Sequence, residues 1–292
     1  MAEEAILLKH EITMGAGNNT KTIVNFVKKN INQINVFDAH TALELTYFYE
    51  GEGIYTVDGE EWEFCQGDVF LVQSNISHAI TKLNKSGAFY NVNFEPRLLW
   101  DSNGFFGSGF MHIFTSAAHD KKYRLARGNP KFCFIQEIFE KISTEFTDCA
   151  PGFEYMVKAY ILELLTGIYR YYGFSEENDA DLSEYNIEGV SKSVDYINEH
   201  LTEDLSVNTL ARTANISQTY YNTLFKKLNG ITPWEYVISK RVELAANRLI
   251  SGNVNSMYRL AKECGFNNTA NFNHAFRKYT GCVPSKYKGE RV

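Results

Sequence analysis

The sequence contains no run of about 18 apolar residues, which excludes a transmembrane helix of ordinary length. Its start, Met1 to Glu4, is acidic and lacks the basic and then apolar segments of a secretory signal peptide. The five cysteines are scattered without any CxxC spacing, so they do not form the pattern of a disulfide framework. Together these absences predict a reduced, cytoplasmic protein that makes no membrane contact.

Positive charge is scarce in most of the chain and concentrated at one end. Residues 1–204 contain 16 Lys and Arg against 31 Asp and Glu, a net charge of −15, whereas residues 205–292 contain 13 against 4, a net charge of +9. A basic end on an acidic body predicts that a polyanion binds that end only. The chain has 292 residues and 44% apolar residues, which is enough for two domains with real cores.

The basic end nearly repeats itself. The offset between the two copies is 50 residues at first and 51 from a shared phenylalanine onward. Two copies joined by a helix indicate a pair of small modules rather than a solenoid, which needs about three or more units. The matching residues are Leu210-Ala211, Phe225-Lys226-Lys227, Gly230 and Pro233 in the first copy, and Leu260-Ala261, Phe276-Arg277-Lys278, Gly281 and Pro284 in the second.

Each copy carries the start and stop signals of two helices joined by a tight turn. In the first copy, Ser206 and Ser217 are predicted N-caps, and Asn215-Ile216 is the predicted turn. Thr232 to Glu235 predicts a capping box with proline at N1, which opens the helix that links the copies. The last helix is predicted from about Asn268 to Tyr279. A short helix, a turn and a second helix with a polar face predict helix-turn-helix architecture.

The second helix of each copy has a polar outer face. Asn and Gln can pair bidentately with adenine, Arg pairs with guanine, and threonine methyl groups can meet thymine methyl groups. Because Arg277 is the only arginine on these faces, we predict an A·T-leaning site; the basic residues, Arg277 included, are better suited to phosphate contacts. The predicted DNA-contacting residues are Gln218, Thr219, Asn222, Thr223, Lys226, Lys227, Asn268, Thr269, Asn273, His274, Arg277 and Lys278.

This stretch resembles the AraC/XylS family of bacterial transcription regulators over about 100 residues. Thr223 and His274 stand where family members often carry arginine, and Val283 replaces the commoner Ser or Thr. The resemblance implies a DNA-binding domain preceded by a cupin-like domain and a helical hairpin. It is carried by Leu260-Ala261, Gly265-Phe266, Phe272, Phe276-Arg277-Lys278, Gly281, Pro284 and Tyr287.

From about Ile34 to Phe94, short segments alternate in the manner of strands. Asp58-Gly59 between alternating segments is a strong hairpin signal. Short strands at regular spacing predict a small sandwich or barrel. The predicted strands are 44–49, 54–57, 62–64, 69–72 and 89–94. The first of them leads into Glu50-Gly51-Glu52-Gly53.

The same region resembles the two cupin motifs. His40, Glu44 and Gly51 match the first motif, and Gly67-Asp68 with His78 match the second. The chain departs from the metal-binding pattern because Asp38 stands at the first histidine position of that pattern. Gln73, Asn75 and Lys82 depart from the second motif.

His40, Glu44 and His78 could form a metal site of the two-His-one-carboxylate type. The alternative, which we favour, is a set of hydrogen-bonded or effector-contacting residues in a cupin without metal. We therefore predict no cofactor, and a pocket formed by His40, Glu44, Thr46, Trp62 and His78. Polar groups with aromatic walls suit a carbohydrate, and sensors of this kind in the family often respond to sugars.

After Pro130, apolar residues fall at helical spacing on both sides of Pro151-Gly152, which predicts an antiparallel helical hairpin. Its apolar faces could form a homodimer contact or pack within the chain alone. Residues 175–183 are acidic and aperiodic, as in a linker. The predicted organisation is a cupin-like domain at 1–172 with helices at about 131–172, a linker at 173–186, and a tandem helix-turn-helix domain at 187–292.

The predicted fold class is α+β multidomain, with a cupin-like β-barrel and helical hairpin followed by an all-α tandem helix-turn-helix domain. The predicted function is that of a non-enzymatic, sequence-specific transcription regulator, an activator in contact with RNA polymerase. A small molecule, a sugar in our hypothesis, would bind the barrel of a homodimer. The alternatives are a metal-dependent cupin enzyme, either a dioxygenase or an isomerase, and a DNA-binding protein that responds to no effector.

Overall fold

The computed structural model describes residues 7–14, 21–100, 110–111, 113–115, 117, 122–125, 133–172, 186–252, 254 and 256–287. The strands are β1 (Leu7–Met14), β2 (Lys21–Asn30), β3 (Leu43–Val57), β4 (Glu60–Cys65), β5 (Val69–Val72) and β6 (His78–Phe94). The helices are α1 (Cys133–Asp148), α2 (Phe153–Tyr172), α3 (Ile187–Glu199), α4 (Val207–Thr213), α5 (Gln218–Asn229), α6 (Pro233–Ile250), α7 (Met257–Glu263) and α8 (Thr269–Thr280), with short 3-10 helices at Pro96–Leu99 and Pro284–Lys286. The predicted linker lies outside the described residues apart from Asn186, the N-cap of α3.

The strands form one antiparallel sheet in the order β1-β2-β6-β3-β4, with β5 paired to β3. Two strands are long: β3 has 15 residues and β6 has 17, and they pair along most of their length. The N-terminal half of β3 also pairs with β5 and its C-terminal half with β4. This sheet confirms the predicted cupin-like fold class.

Two features of the sheet differ from the prediction. The first two strands, β1 and β2, lie before Ile34, where the predicted strand region began. The segment that contains Gly51 and Gly53 is the middle of a continuous strand rather than a turn. A Cβ atom at Gly51, which has φ +95, would lie 2.4 Å from the Cα atom of Gly87. Glycine here therefore allows β3 and β6 to approach each other at a bulge.

The predicted hairpin at Asp58-Gly59 is confirmed. These residues join β3 to β4, with Val57 opposite Glu60, and both have positive φ values, 52° and 77°. A two-residue turn with two positive φ angles matches the right-handed twist of the strands, and Asp-Gly adopts it at little cost.

The helical hairpin packs on the outer face of the sheet. Phe146 of α1 stacks on Phe26 of β2, and Phe139 stacks on Tyr47 of β3, with ring centroids 5.5 Å and 5.6 Å apart. The apolar residues of α2 enter the same buried cluster. Packing within the chain therefore covers most of the apolar stripe, although Tyr155 and Met156 of α2 stay 80% and 42% exposed. Within the described residues, no helix has the length and apolar character needed to cross a membrane.

The C-terminal helices form two modules with separate cores. The first core contains residues of α3, α4, α5 and the N-terminal half of α6. The second contains residues of the C-terminal half of α6 with α7 and α8. Ser206 and Ser217 cap α4 and α5, and Thr232 with Glu235 forms the capping box of α6, as the sequence predicts.

Candidate effector cavity and nucleic-acid interface

A cavity of about 340 Å³ lies against the inner face of β2, β6 and β3. Its lining follows the strand register in three rows of neighbouring residues. The first row is polar, and the third combines two aromatic rings with Lys29, so the polar lining and the aromatic lining lie at different ends of the cavity. The rows are Asn25-Asn93-Glu44, Val27-Asn91-Thr46 and Lys29-Phe89-Phe48.

Glu44 is buried at the polar end and accepts four hydrogen bonds. His40 Nε2 and His78 Nε2 lie 3.0 Å and 3.2 Å from its Oε2 atom. The hydroxyls of Thr46 and Tyr55 donate to Oε1 at 2.6 Å and 3.1 Å. A carboxylate has about four acceptor sites, so this set saturates Glu44. Glu44 therefore organises the wall of the cavity and has no free site for a ligand hydroxyl.

The two histidines are oriented by the backbone. Nδ1 of His40 lies 3.2 Å from the carbonyl oxygen of Ala42, and Nδ1 of His78 lies 2.9 Å from that of Ile76. A carbonyl oxygen only accepts hydrogen bonds, so each Nδ1 carries a hydrogen and each Nε2 faces Glu44.

The charges of the cluster reinforce one another. Burial lowers the pKa of His78, but the Glu44 carboxylate outweighs burial and raises this pKa to about 9. Burial likewise opposes the rise in the pKa of His40, which its hydrogen bond to Glu44 and the nearby Asp38 produce. Burial raises the pKa of Glu44, yet the two imidazoles hold it well below the ordinary value. The Glu44 carboxylate and the two imidazoles thus each favour the charged form of the other.

The same donors fit a divalent cation. One ligand atom from each of His40, Glu44 and His78 lies within 4.8 Å of the others. Hydrogen bonds from Nδ1 to a carbonyl are the usual support of metal-bound histidine. The set therefore has the composition and the orientation of a two-His-one-carboxylate site.

The structure brings four of the five predicted effector residues together. Glu44, Thr46 and His78 line the cavity, and His40 lies behind Glu44. Trp62 is not among the lining residues in the part of the chain that the structure describes. Its ring instead lies 6.4 Å from that of Tyr123, under the Arg124 guanidinium.

Sequence reasoning missed the three asparagines of the cavity. Among the described residues, the side-chain oxygens of Asn25, Asn91 and Asn93 are buried without a hydrogen-bond partner. The signal that could have found them is the segment Tyr90-Asn91-Val92-Asn93-Phe94. Asparagine is depleted in strands, so two asparagines at alternate positions indicate a polar inner face that needs a reason.

The predicted DNA-contacting residues lie on α5, on α8 and at their ends. Those of α5 are exposed except Asn222 and Lys227, which are half-buried, while the opposite face of this helix is buried. On α8, Asn273, His274, Arg277 and Lys278 are exposed. Asn268 is the N-cap of α8, where its Oδ1 atom accepts from the backbone N–H of Asn271 at 2.8 Å.

Comparison with known proteins identifies both halves of the chain. Residues 210–290 match the helix-turn-helix domain family, and residues 33–88 match the cupin domain family. The Msm operon regulatory protein of Streptococcus mutans is 23% identical over 84% of this chain and 83% of its own length.

Other relatives match the C-terminal part alone. The probable transcriptional regulator LumQ of Photobacterium leiognathi is 38% identical over 32% of this chain. The raffinose operon transcriptional regulatory protein RafR of Pediococcus pentosaceus is 31% identical over 33%. The chain spans 37% of the length of LumQ and 34% of that of RafR.

Among solved structures, the apo form of a ToxT variant from Vibrio cholerae has a TM-score of 0.54 at 12% identity, covering 91% of this chain and 97% of its own. This likeness shows the shared two-domain fold. Together with the matched families, it confirms the predicted resemblance. The chain therefore carries a cupin domain ahead of a helix-turn-helix domain, which is the domain order that the resemblance implies.

Proposed function

We propose that the protein is a sequence-specific transcription regulator whose two helix-turn-helix modules bind neighbouring segments of one DNA duplex. The observation that carries this proposal is the pair of exposed polar faces on α5 and α8, in a region of net charge +9. Successive major-groove faces on one side of B-DNA are about 34 Å apart, so two recognition helices on one chain can enter adjacent turns.

Selection of binding sites from a random duplex pool by the full-length protein tests this function. We expect a two-part site with its halves about one helical turn apart and an excess of A·T pairs. Binding without any enriched sequence would contradict the proposal. It would instead indicate an electrostatic, non-specific DNA-binding protein.

We propose that the cavity binds a neutral polyhydroxylated molecule, a sugar. Three buried amide oxygens without partners call for hydrogen-bond donors, because a buried unpaired acceptor costs about 1–3 kcal/mol. The rings of Phe48 and Phe89 supply the apolar wall for the other face of such a ligand. The size is also suitable, since small-molecule pockets start at about 300 Å³. RafR, named for a raffinose operon, is a relative in the DNA-binding part.

Thermal denaturation with a panel of mono-, di- and trisaccharides tests the ligand class. A sugar present at about 100 times its Kd should raise the Tm of the sensor domain by about 5–10 °C. The variant Asn93→Ala should lose this shift, whereas Trp62→Phe, outside the cavity lining, should keep it. A panel without any shift, or a shift that Asn93→Ala retains, would contradict a sugar site in this cavity.

We further propose a homodimer that activates transcription through RNA polymerase. The support for dimerisation is the exposed pair Tyr155 and Met156 on the helical hairpin. Sedimentation of the full chain should show a dimer that Tyr155→Glu weakens, and a monomer at micromolar concentration would contradict it. Transcription in vitro from a template carrying the selected site should rise when the protein is added, and a fall would indicate a repressor.

A second candidate function is metal binding, which the orientation of His40 and His78 around Glu44 favours. These three residues would hold a divalent cation, which would supply Lewis-acid chemistry. Elemental analysis of the purified protein decides between the candidates. One equivalent of iron, manganese or zinc that His78→Ala abolishes would support the metal candidate and reopen the enzyme alternative. Absence of metal after purification and reloading would leave the sugar site.

A further inference from the structure

Two segments of the cupin domain run side by side between the cavity and the C-terminal domain. Phe37–Thr41 precedes β3, and Gln73–His78 connects β5 to β6. Asp38 and His78 exchange two backbone hydrogen bonds of 2.9 Å. The backbone N–H of Asn75 donates to the His40 carbonyl at 2.7 Å, and the Ser74 hydroxyl donates to the Thr41 carbonyl at 2.7 Å. These bonds make the two segments one unit, which we call the brace.

One end of the brace belongs to the cavity. Asp38 and His78 line the cavity, and His40 and His78 both contact the Glu44 carboxylate. A ligand or substitution that moves Glu44 therefore moves residues of both segments.

The other end of the brace contacts the C-terminal domain through Gln73, Thr41 and Phe37, among other residues. Gln73 Nε2 donates to the carbonyl oxygen of Gly230 at 3.2 Å. The backbone N–H and hydroxyl of Thr41 donate to Glu243 Oε1, in the middle of α6, at 2.9 Å and 3.2 Å. Phe37 lies against Gly281, where an added Cβ would come within 3.1 Å of the Phe37 Cβ atom.

These contacts are matched on the two modules. Gly230 and Gly281 are the C-caps of α5 and α8, both left-handed with φ of 77° and 73°, and they are equivalent positions of the repeat. The brace thus rests on the same point of each recognition helix and on the helix between them. Ala39, within the brace, is buried in the core of the second module.

Ion pairs also connect the cupin domain to the C-terminal domain. Lys240 of α6 contacts Glu95 of the cupin domain at 3.6 Å and Glu243 at 3.0 Å. Arg97 pairs with Glu95 and with Asp195 of α3, the latter at 3.1 Å. Glu95 is buried, whereas its partners are partly exposed, so undocking would leave the Glu95 carboxylate without the charges that compensate it here.

The two modules have separate cores, and within the described residues both cores include residues of α6. The outer faces of α5 and α8 stay exposed beside the brace, so docking does not block them. The contacts at Gly230, Glu243 and Gly281 bear instead on how the two helices are placed relative to each other.

We propose that the brace transmits the state of the cavity to the relative placement of α5 and α8. The two ends of the brace are physically continuous through hydrogen bonds, so a shift at one end strains the contacts at the other. This inference rests on the proposed function only in treating α5 and α8 as the DNA-binding elements. Under that function, effector and DNA affinities are coupled reciprocally.

Pulsed electron resonance tests the proposal in the full chain, with spin labels attached through a non-natural amino acid at the exposed positions 223 and 274. Glu44→Gln at the cavity and Glu243→Gln at the interface should each broaden the distance distribution between the labels and shift its mean by about 1–2 Å or more. The double variant should shift no further than the larger single shift, because both changes act through one element.

Glu263→Gln is the matched control. It is the same substitution in the same domain and removes an ion pair with Arg248 of 2.8 Å, but it lies in α7, away from the brace. It should leave the distribution unchanged. Ser74→Ala serves where Glu44→Gln impairs folding, since it removes only the bond between the two segments, and it should shift the distance in the same direction as Glu243→Gln.

An unchanged distance in Glu243→Gln would show that α6 alone sets the placement of the helices. A shift in Glu243→Gln without one in Glu44→Gln or Ser74→Ala would show that the interface is not coupled to the cavity. Either result overturns the proposal. The measurement uses neither DNA nor effector, so it stands or fails separately from the proposed function.

Discussion

The two helix-turn-helix modules share one local design but have different surroundings. Ser206 and Ser256 cap their first helices, and Gly230 and Gly281 end their second helices. The turns differ: the first places the exposed Asn215 at φ 56°, whereas the second places Gly265 at φ 83° against Arg241. Repeated sequence signals thus produce repeated local structure, while the packing partners of each copy are set by the rest of the molecule.

The segments after the two modules also differ. After the first module, Thr232 and Glu235 form a capping box that opens the 18-residue helix α6. After the second, Val283 offers no side-chain cap, and a 3-10 helix of three residues follows. Val283 stands where the first copy has Thr232. The cap is missing because valine has no oxygen to accept a hydrogen bond from the N–H groups of the first turn.

The largest expected effect tests whether the modules are independent. Phe225 and Phe276 are equivalent and fully buried in separate cores. Truncation of either residue to alanine should cost about 3–5 kcal/mol. Because the cores are separate, hydrogen exchange should accelerate by more than about 100-fold in the helices of the altered module and little in the other. Equal acceleration in both modules would show that they unfold as one unit.

The next largest effect is expected from substitutions at the turn residues, whose stability cost should differ between the two modules. At Gly265 an added Cβ would lie 2.8 Å from Arg241 Nε and 3.0 Å from the Leu201 carbonyl oxygen. Arg241 is buried and donates to the carbonyls of Leu201 and Glu203 at 2.8 Å and 2.7 Å. Gly265→Ala should therefore destabilise its module by about 2–4 kcal/mol, from the left-handed backbone and the displaced guanidinium.

Asn215→Ala should cost only about 1 kcal/mol, from the left-handed backbone alone, and Asn215→Gly is the control without that cost. Chemical denaturation of the variants, followed by hydrogen exchange of each module, provides the measurement. A cost at Asn215 equal to that at Gly265 would mean that Arg241 does not distinguish the turns.

The same contrast explains what could be predicted from the sequence. Caps, turns and the buried faces of α5 and α8 follow from signals within a few residues, and these predictions are confirmed for Ser217, Thr232 and Phe276. Strand β2 was missed because Val24 and Phe26 face one side while Asn25, Val27 and Lys29 face the cavity, so the alternation is blurred. The asparagines of the cavity meet across strands distant in the chain, and no local pattern contains that register.

The two modules should each recognise one half of the DNA site, and substitutions in α5 and α8 test this. Asn222→Ala and Asn273→Ala should each relax the preference for adenine in one half of the selected site, with a loss of about 1–3 kcal/mol for the cognate base. Lys226→Ala and Lys278→Ala are the controls: they should weaken binding to all sequences and reduce its salt dependence. Titration of DNA variants by fluorescence anisotropy measures both. Uniform weakening by Asn222→Ala would remove its proposed role in base recognition.

The smallest expected effect concerns the N-caps of the recognition helices. Ser217 accepts from the Tyr220 N–H at 3.4 Å and Asn268 from the Asn271 N–H at 2.8 Å, so Asn268→Ala should cost more than Ser217→Ala within a range of about 0.5–2 kcal/mol. Asn268 is also a proposed DNA contact, and Asn268→Asp separates the two roles. Aspartate can still cap the helix, and its negative charge interacts favourably with the positive end of the helix dipole, so the free energy of unfolding should not fall. Its charge opposes phosphate, so affinity for the selected site should fall. Unchanged affinity would assign Asn268 to the cap alone.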